Sequence, residues 1–166
     1  MTAFILMGVS GSGKTSVGHR VAEQLDLPFL EGDDFHPARN IEKMSSGIPL
    51  TDEDRLPWID ALVTAINRQP QRDVVVACSA LSQRVRDRLR ERLRMPLRFL
   101  FLTAAPEVIQ ERLDRRPRHF MKRGMLGSQF AALEPPADAI EIDVAPPLEV
   151  VTAEVVRQIE RIRATE

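Results

Sequence analysis

Two hydrophobic periods alternate along the chain. Residues 4–7, Phe-Ile-Leu-Met, form a short apolar run that predicts a buried strand. Residues 14–25 then put Val17, Val21, Ala22 and Leu25 on one helical face. Pro28-Phe29-Leu30 predicts a short second strand, ending at Glu31-Gly32-Asp33-Asp34. Residues 36–49 are polar, have no period and read as irregular. Within residues 52–68, Ile59, Leu62, Val63 and Ile66 recur at i, i+3, i+4 and i+7, the spacing of a helix. Val74-Val75-Val76-Ala77-Cys78 is continuously apolar, as a central parallel strand buried on both faces requires. Residues 82–94 predict a helix with Val85, Leu89 and Leu93 inward and a solvated arginine face paired locally with Asp87 and Glu91. Residues 98–102 give a fourth strand, and Pro106 opens a helix where its missing N–H costs little. Residues 115–126 are basic without a period. Residues 140–144 predict a fifth strand, and residues 148–162 a closing helix with Val151, Val155 and Ile159 aligned.

Alternating strands and helices imply an α/β fold: a parallel sheet with helices on both faces, joined by right-handed crossovers. Ligands of such a sheet sit beyond the carboxyl ends of the strands. Three of those ends are polar, at residues 8–15, 31–34 and 78–79, and they are expected to converge on one crevice. Asp143 follows the last strand, expected at the sheet edge.

The 166 residues suit a single domain spanning 1–166. A net charge of −1 carries neither a nucleic-acid nor a membrane signature. One cysteine excludes an internal disulfide. With a chain that enters a strand at once, leaving no room for a signal peptide, this points to the cytoplasm.

The first strand runs into Gly8-Val9-Ser10-Gly11-Ser12-Gly13-Lys14-Thr15, and a helix follows. This is G-x-x-x-x-G-K-[ST] in the context it requires. Glycines let successive N–H groups turn inward onto phosphate oxygens, and the helix adds its positive end. Lys14 would reach the β- and γ-phosphates, and the Thr15 hydroxyl would ligate Mg²⁺. The GTPase signatures N-K-x-D and D-x-x-G are absent from the sequence. The remaining acid cluster follows the second strand, which in such a sheet is expected close to the first. A carboxylate there, Asp33 first, can take the proton of a substrate hydroxyl, or hold water on Mg²⁺. For Glu31, aid to Mg²⁺ through water and plain solvation both stay open. Cys78 ends an apolar strand and reads as buried and inert.

The run from Gly32-Asp33 through His36-Pro37, Asn40, Lys43-Met44, Gly47, Pro49-Leu50, Asp52, Asp54-Arg55 and Pro57-Trp58 resembles the substrate region of the gluconate kinases. It matches G-D-x-x-H-P-x-x-N-x-x-K-M-x-x-G-x-P-L-x-D-x-D-R-x-P-W at every fixed position. Cys78-Ser79-Ala80-Leu81 with Arg86-Asp87, His119-Phe120, Met125-Leu126, Gln129-Phe130 and Leu133-Glu134 resemble the family too. Ser82 departs from it, standing where the family often has lysine, and Asp34 stands where the family is often apolar. The resemblance implies the fold of the nucleoside monophosphate kinases and shikimate kinase: a P-loop α/β/α sandwich with a five-stranded parallel sheet, a substrate region at about 32–60 and a mobile lid at about 115–128. It implies transfer from ATP, with Mg²⁺, to the 6-hydroxyl of D-gluconate, by a homodimer. Asp33 matches the family's acid. His36, Asn40, Lys43 and Arg55 lie in the matched run with chemistry suited to a carboxylate and a row of hydroxyls, and Ser79 and Arg86 join them. Trp58 reads as packing. Arg116 aligns with the family's lid arginine, and Arg112 with residues 144–147 would cradle adenine by analogy. A kinase of another small hydroxy acid, such as shikimate, and a non-catalytic nucleotide-binding regulator remain the alternatives.

Overall fold

In β1, Ala3–Met7, every side chain is buried, and the two-residue repeat sends them to opposite faces. Ala3, Ile5 and Met7 pack with Trp58, Ile59, Leu62 and Ile66 of α3, Asp52–Asn67, and with Val85 and Leu89 of α4, Gln83–Arg92. Phe4 and Leu6 pack with Val17 and Val21 of α1, Lys14–Leu25, and with Val155 and Ile159 of α7, Leu148–Thr165. Two apolar cores thus sandwich one sheet. The structure is a computed structural model and describes residues 1–70, 72–116 and 125–166, the last stretch without the side chain of Met125.

The sheet has five parallel strands in the order β2-β3-β1-β4-β5, where β2 is Phe29–Glu31, β3 Val74–Ala77, β4 Leu97–Thr103 and β5 Ile140–Asp143. The alternating pattern therefore gave the α/β class correctly, and the fifth strand is at an edge. The second strand lies near the first without pairing with it: β3 lies between them, and β2 is the other edge. One expectation is corrected. The stretch 36–49 is not irregular throughout, because α2 occupies Ala38–Ser45. Its two large apolar residues split, Met44 buried and Ile41 45% exposed, so no repeating face announces the helix.

Two further helices complete the described residues: α5, Pro106–Asp114, and α6, Met125–Ala132. The predicted lid, about 115–128, lies mostly outside the described residues, as do Arg118, His119, Phe120, Lys122 and Arg123. Among the described residues no helix is long and apolar enough to cross a membrane.

Candidate active site

The loop between β1 and α1 starts from a strand end tied to the end of β3. The Gly8 N–H donates to the Ser79 carbonyl at 3.2 Å, and the Cys78 N–H to the Leu6 carbonyl at 3.0 Å. Gly8 has φ +146°, and a Cβ there would lie 2.5 Å from the Leu102 carbonyl oxygen, so only glycine fits. Lys14 turns back on its own loop, its Nζ donating to Gly8 O at 2.8 Å and Val9 O at 2.9 Å. Burial lowers the Lys14 pKa, against the opposing pull of the Asp33 charge.

The acid cluster is wired to this loop. The Thr15 hydroxyl donates to Glu31 Oε2. Glu31 Oε1 accepts the Asp33 N–H at 3.2 Å, capping the 3-10 turn Gly32–Phe35. Glu31 is therefore not merely solvated: it ties the start of α1 to the backbone of Asp33. Burial raises its pKa, and the Thr15 hydrogen bond opposes the rise. Asp33 reaches the same cleft as Lys14 although β3 separates their strands.

The floor of that cleft is the matched substrate run. The His36 ring stacks on Trp58 at 4.1 Å with 14° between planes. The Trp58 indole N–H donates to the Gly32 carbonyl at 2.7 Å, so this packing residue also fixes the turn that carries Asp33. Gly32 fits closely there, since a Cβ would lie 2.3 Å from the Ala77 carbonyl oxygen. Asn40 is fully buried, and its Nδ2 donates to the Asp54 carbonyl at 2.9 Å and contacts His36 Nδ1 at 3.2 Å. A carbonyl accepts only, which assigns Nδ2 as the donor. His36 Nδ1 is then the acceptor, and the ring proton sits on Nε2. Burial, seconded by the Arg55 charge, lowers the His36 pKa to about 4.

This shift has a testable sign. The unfolded ring takes up its proton near the ordinary value, and the folded ring takes it up only near 4. Between those values the unfolded state binds more protons, so stability falls as pH is lowered from about 6.5 to about 4. We expect the melting temperature to drop across that window, and the drop to shrink in His36→Gln. An equal drop in the variant would contradict the assignment.

Several predicted substrate residues serve the scaffold. Lys43 donates to Asp54 Oδ2 at 2.7 Å, and Arg39 reaches Asp54 Oδ1 at 3.3 Å. Thr51 and Asp54 form a reciprocal capping box at the start of α3. The Lys43 hydrogen bond above all holds Asp54 well down, to about 2. Asn40 and Lys43 therefore shape the pocket from behind, whereas His36, Arg55 and Ser79 line it. Arg55 pairs with Asp52 at 3.3 Å, and Asp52 Oδ1 also accepts the Ser82 hydroxyl at 3.0 Å. Ser82, where the family often has lysine, is the N-cap of α4, accepting the Val85 N–H at 3.3 Å.

Arg86, expected to face the crevice, does not line it among the described residues. It is fully buried, with Nη1 donating to the carbonyls of Ala80 at 2.8 Å and Leu81 at 2.9 Å, and Nη2 to that of Glu134 at 2.8 Å. It thus braces the loop after β3, where Ala80 is left-handed at φ +46°. The other α4 arginines are not paired only locally: Arg84 meets Glu53, and Arg88 meets Asp60, both on α3. Cys78 is buried as expected, its thiol pushed up to about 12 by desolvation.

On the other side of the phosphate loop a second cleft is lined by Gly11, Gly13, Arg112, Arg116, Val144 and Pro146. Arg112 Nη2 donates to the Val144 carbonyl, anchoring α5 to the loop after β5. Sequence reasoning gave no role to Gln129 of α6, whose Oε1 accepts the Ser10 N–H at 2.5 Å. The Thr51-x-x-Asp54 spacing was the readable signal for the capping box.

A phosphate-binding loop on β1, a carboxylate after β2 and an acceptor cleft between them define a P-loop kinase of small molecules. The AAA domain family matches residues 4–136. The "Thermoresistant gluconokinase" of Escherichia coli (strain K12) is 44% identical over 164 residues, 95% of this chain and 93% of its own. The crystal structure of a gluconokinase from Sinorhizobium meliloti 1021 superposes with a TM-score of 0.87 at 43% identity, over 97% of this chain and 93% of that one. The chain belongs to the gluconokinase family. The shikimate kinase of Aquifex aeolicus, at 19% identity and a TM-score of 0.63 over 95% of this chain and 96% of its own, shares the fold.

Proposed function

We propose that the protein transfers the terminal phosphoryl group of ATP to the 6-hydroxyl of D-gluconate, giving 6-phospho-D-gluconate and ADP. The observation that carries this reading is the shared cleft of Lys14, Asp33, His36 and Arg55 beside the phosphate loop. The membership of the gluconokinase family supports the same substrate.

The acceptor hydroxyl oxygen bonds to the γ-phosphorus, the bond to the bridging oxygen breaks, and the hydroxyl proton passes to the Asp33 carboxylate. Lys14 leaves the carbonyls of Gly8 and Val9 for phosphate oxygens, which attract a cation more strongly. His36 offers its Nε2–H to a sugar hydroxyl. Arg55 offers guanidinium N–H groups to the sugar-acid carboxylate. Arg116 supplies charge from the second cleft.

The donors near the loop are oxygens, the Thr15 hydroxyl and the Glu31 carboxylate, and among the described residues no cluster of three His, Cys, Asp or Glu forms a dedicated metal cage. That suits Mg²⁺, which binds through one or two protein oxygens plus phosphates and water. When bound with the nucleotide, the ion neutralises phosphate charge. The family resemblance also supports a cytoplasmic homodimer.

The test is release of ADP in a coupled assay with Mg-ATP and a panel of hydroxy acids. Turnover is expected with gluconate and not with shikimate. A rate with gluconate no higher than with ATP alone would reject the reading.

A further inference from the structure

The two clefts lie on either side of one loop. Gly11, Gly13 and Arg112 line the second, whereas Ser10, Lys14, Asp33 and Gln129 line the first. A nucleotide with its base and ribose in the second cleft crosses the loop with its phosphates. Its terminal phosphate is the part that enters the first cleft, where Asp33 waits. Ser10 lines that first cleft, and the side-chain oxygen of Gln129 accepts its backbone N–H at 2.5 Å.

We propose that Gln129 holds the place of the transferable phosphate against the Ser10 N–H, so that displacing its side chain is part of how the protein recognises a triphosphate. This rests on the nucleotide reading above and adds a positioning residue to it. A phosphate oxygen is charged and an amide oxygen is not, so the exchange runs toward the phosphate. The segment after α6 is fixed independently, because the Glu134 N–H donates to the Leu81 carbonyl at 2.8 Å and Arg86 holds the Glu134 carbonyl. ADP has no phosphate to reach Ser10 and leaves the contact in place.

The test is calorimetric titration of the wild type and Gln129→Ala, in Mg²⁺, with ADP and with a non-hydrolysable ATP analogue. Without the competing oxygen, the analogue is expected to bind about three- to tenfold tighter, the scale of one ordinary hydrogen bond, and ADP to stay within about twofold. Equal changes for both ligands, no change, or weaker binding of the analogue would overturn the proposal. Gln129→Met keeps the length of the side chain without its acceptor oxygen. It must behave as the alanine variant does, and it replaces that variant if the latter unfolds. A wild type that binds neither ligand overturns the nucleotide reading and this inference with it. Normal wild-type affinities with an unmoved variant overturn this inference alone.

Discussion

Replacing Asp33 with Asn is expected to lower kcat by about 10²- to 10⁴-fold, the usual contribution of a positioned general base. The substitution keeps the shape of the side chain and the backbone N–H that Glu31 accepts, so the 3-10 turn should hold. What is lost is an acceptor for the hydroxyl proton. Lys14 and the loop glycines are untouched, so the affinity for Mg-ATP should change little. Steady-state kinetics with gluconate and a nucleotide titration on the same preparation check both halves. A variant that turns over within a few-fold of the wild type would remove Asp33 as the base. Loss of nucleotide affinity together with rate would instead make it part of the phosphate site.

Lys14→Ala should be as severe and different in kind. Nucleotide affinity and kcat should fall together, by about 10²-fold or more in kcat/KM, because the charged donor holds the bound phosphates and holds them more tightly in the transition state. The structure adds a second expectation. Nζ donates to the Gly8 and Val9 carbonyls, so its removal leaves both without that partner and lowers the melting temperature. Lys14→Arg would keep the charge, but a wide planar fork does not fit where a compact ammonium sits between two carbonyls. Unchanged kinetics in Lys14→Ala would contradict the phosphate-cradle argument. The lowered pKa of Lys14 also predicts that wild-type nucleotide affinity fades at a lower alkaline pH than an ordinary lysine would allow.

The strands and long helices were legible because burial repeats along them. β1 and β3 are continuously apolar, and α1, α3 and α7 show one apolar stripe each. Strand order was not legible, since nothing local says that β3 inserts between β1 and β2. The phosphate loop could be found because its chemistry is set by short spacing along the chain, and the place of Asp33 beside it followed from the acid cluster at the end of the second strand. Which motif residues face the ligand could not be found. Asn40, Lys43 and Arg86 have the right chemistry for a sugar acid, yet each meets partners brought by folding: Asp54 for the first two, and the carbonyls of Ala80, Leu81 and Glu134 for the third. Gln129 stood only in a pair that resembles the family, with no role attached. A neutral amide on a helix without a period gives no chemical signal until its neighbour is known to be the Ser10 N–H.

The proposed base, Asp33, follows a three-residue strand with a neighbour on one side only. The triphosphate loop follows β1, two strands further in and paired on both sides. Donor and acceptor halves of the reaction thus have unequal freedom to drift. Lengthening or reshaping the outer margin can change which alcohol is accepted without disturbing the inner loop. New specificities in this architecture should therefore arise by rewriting the rim while the interior stays as it is.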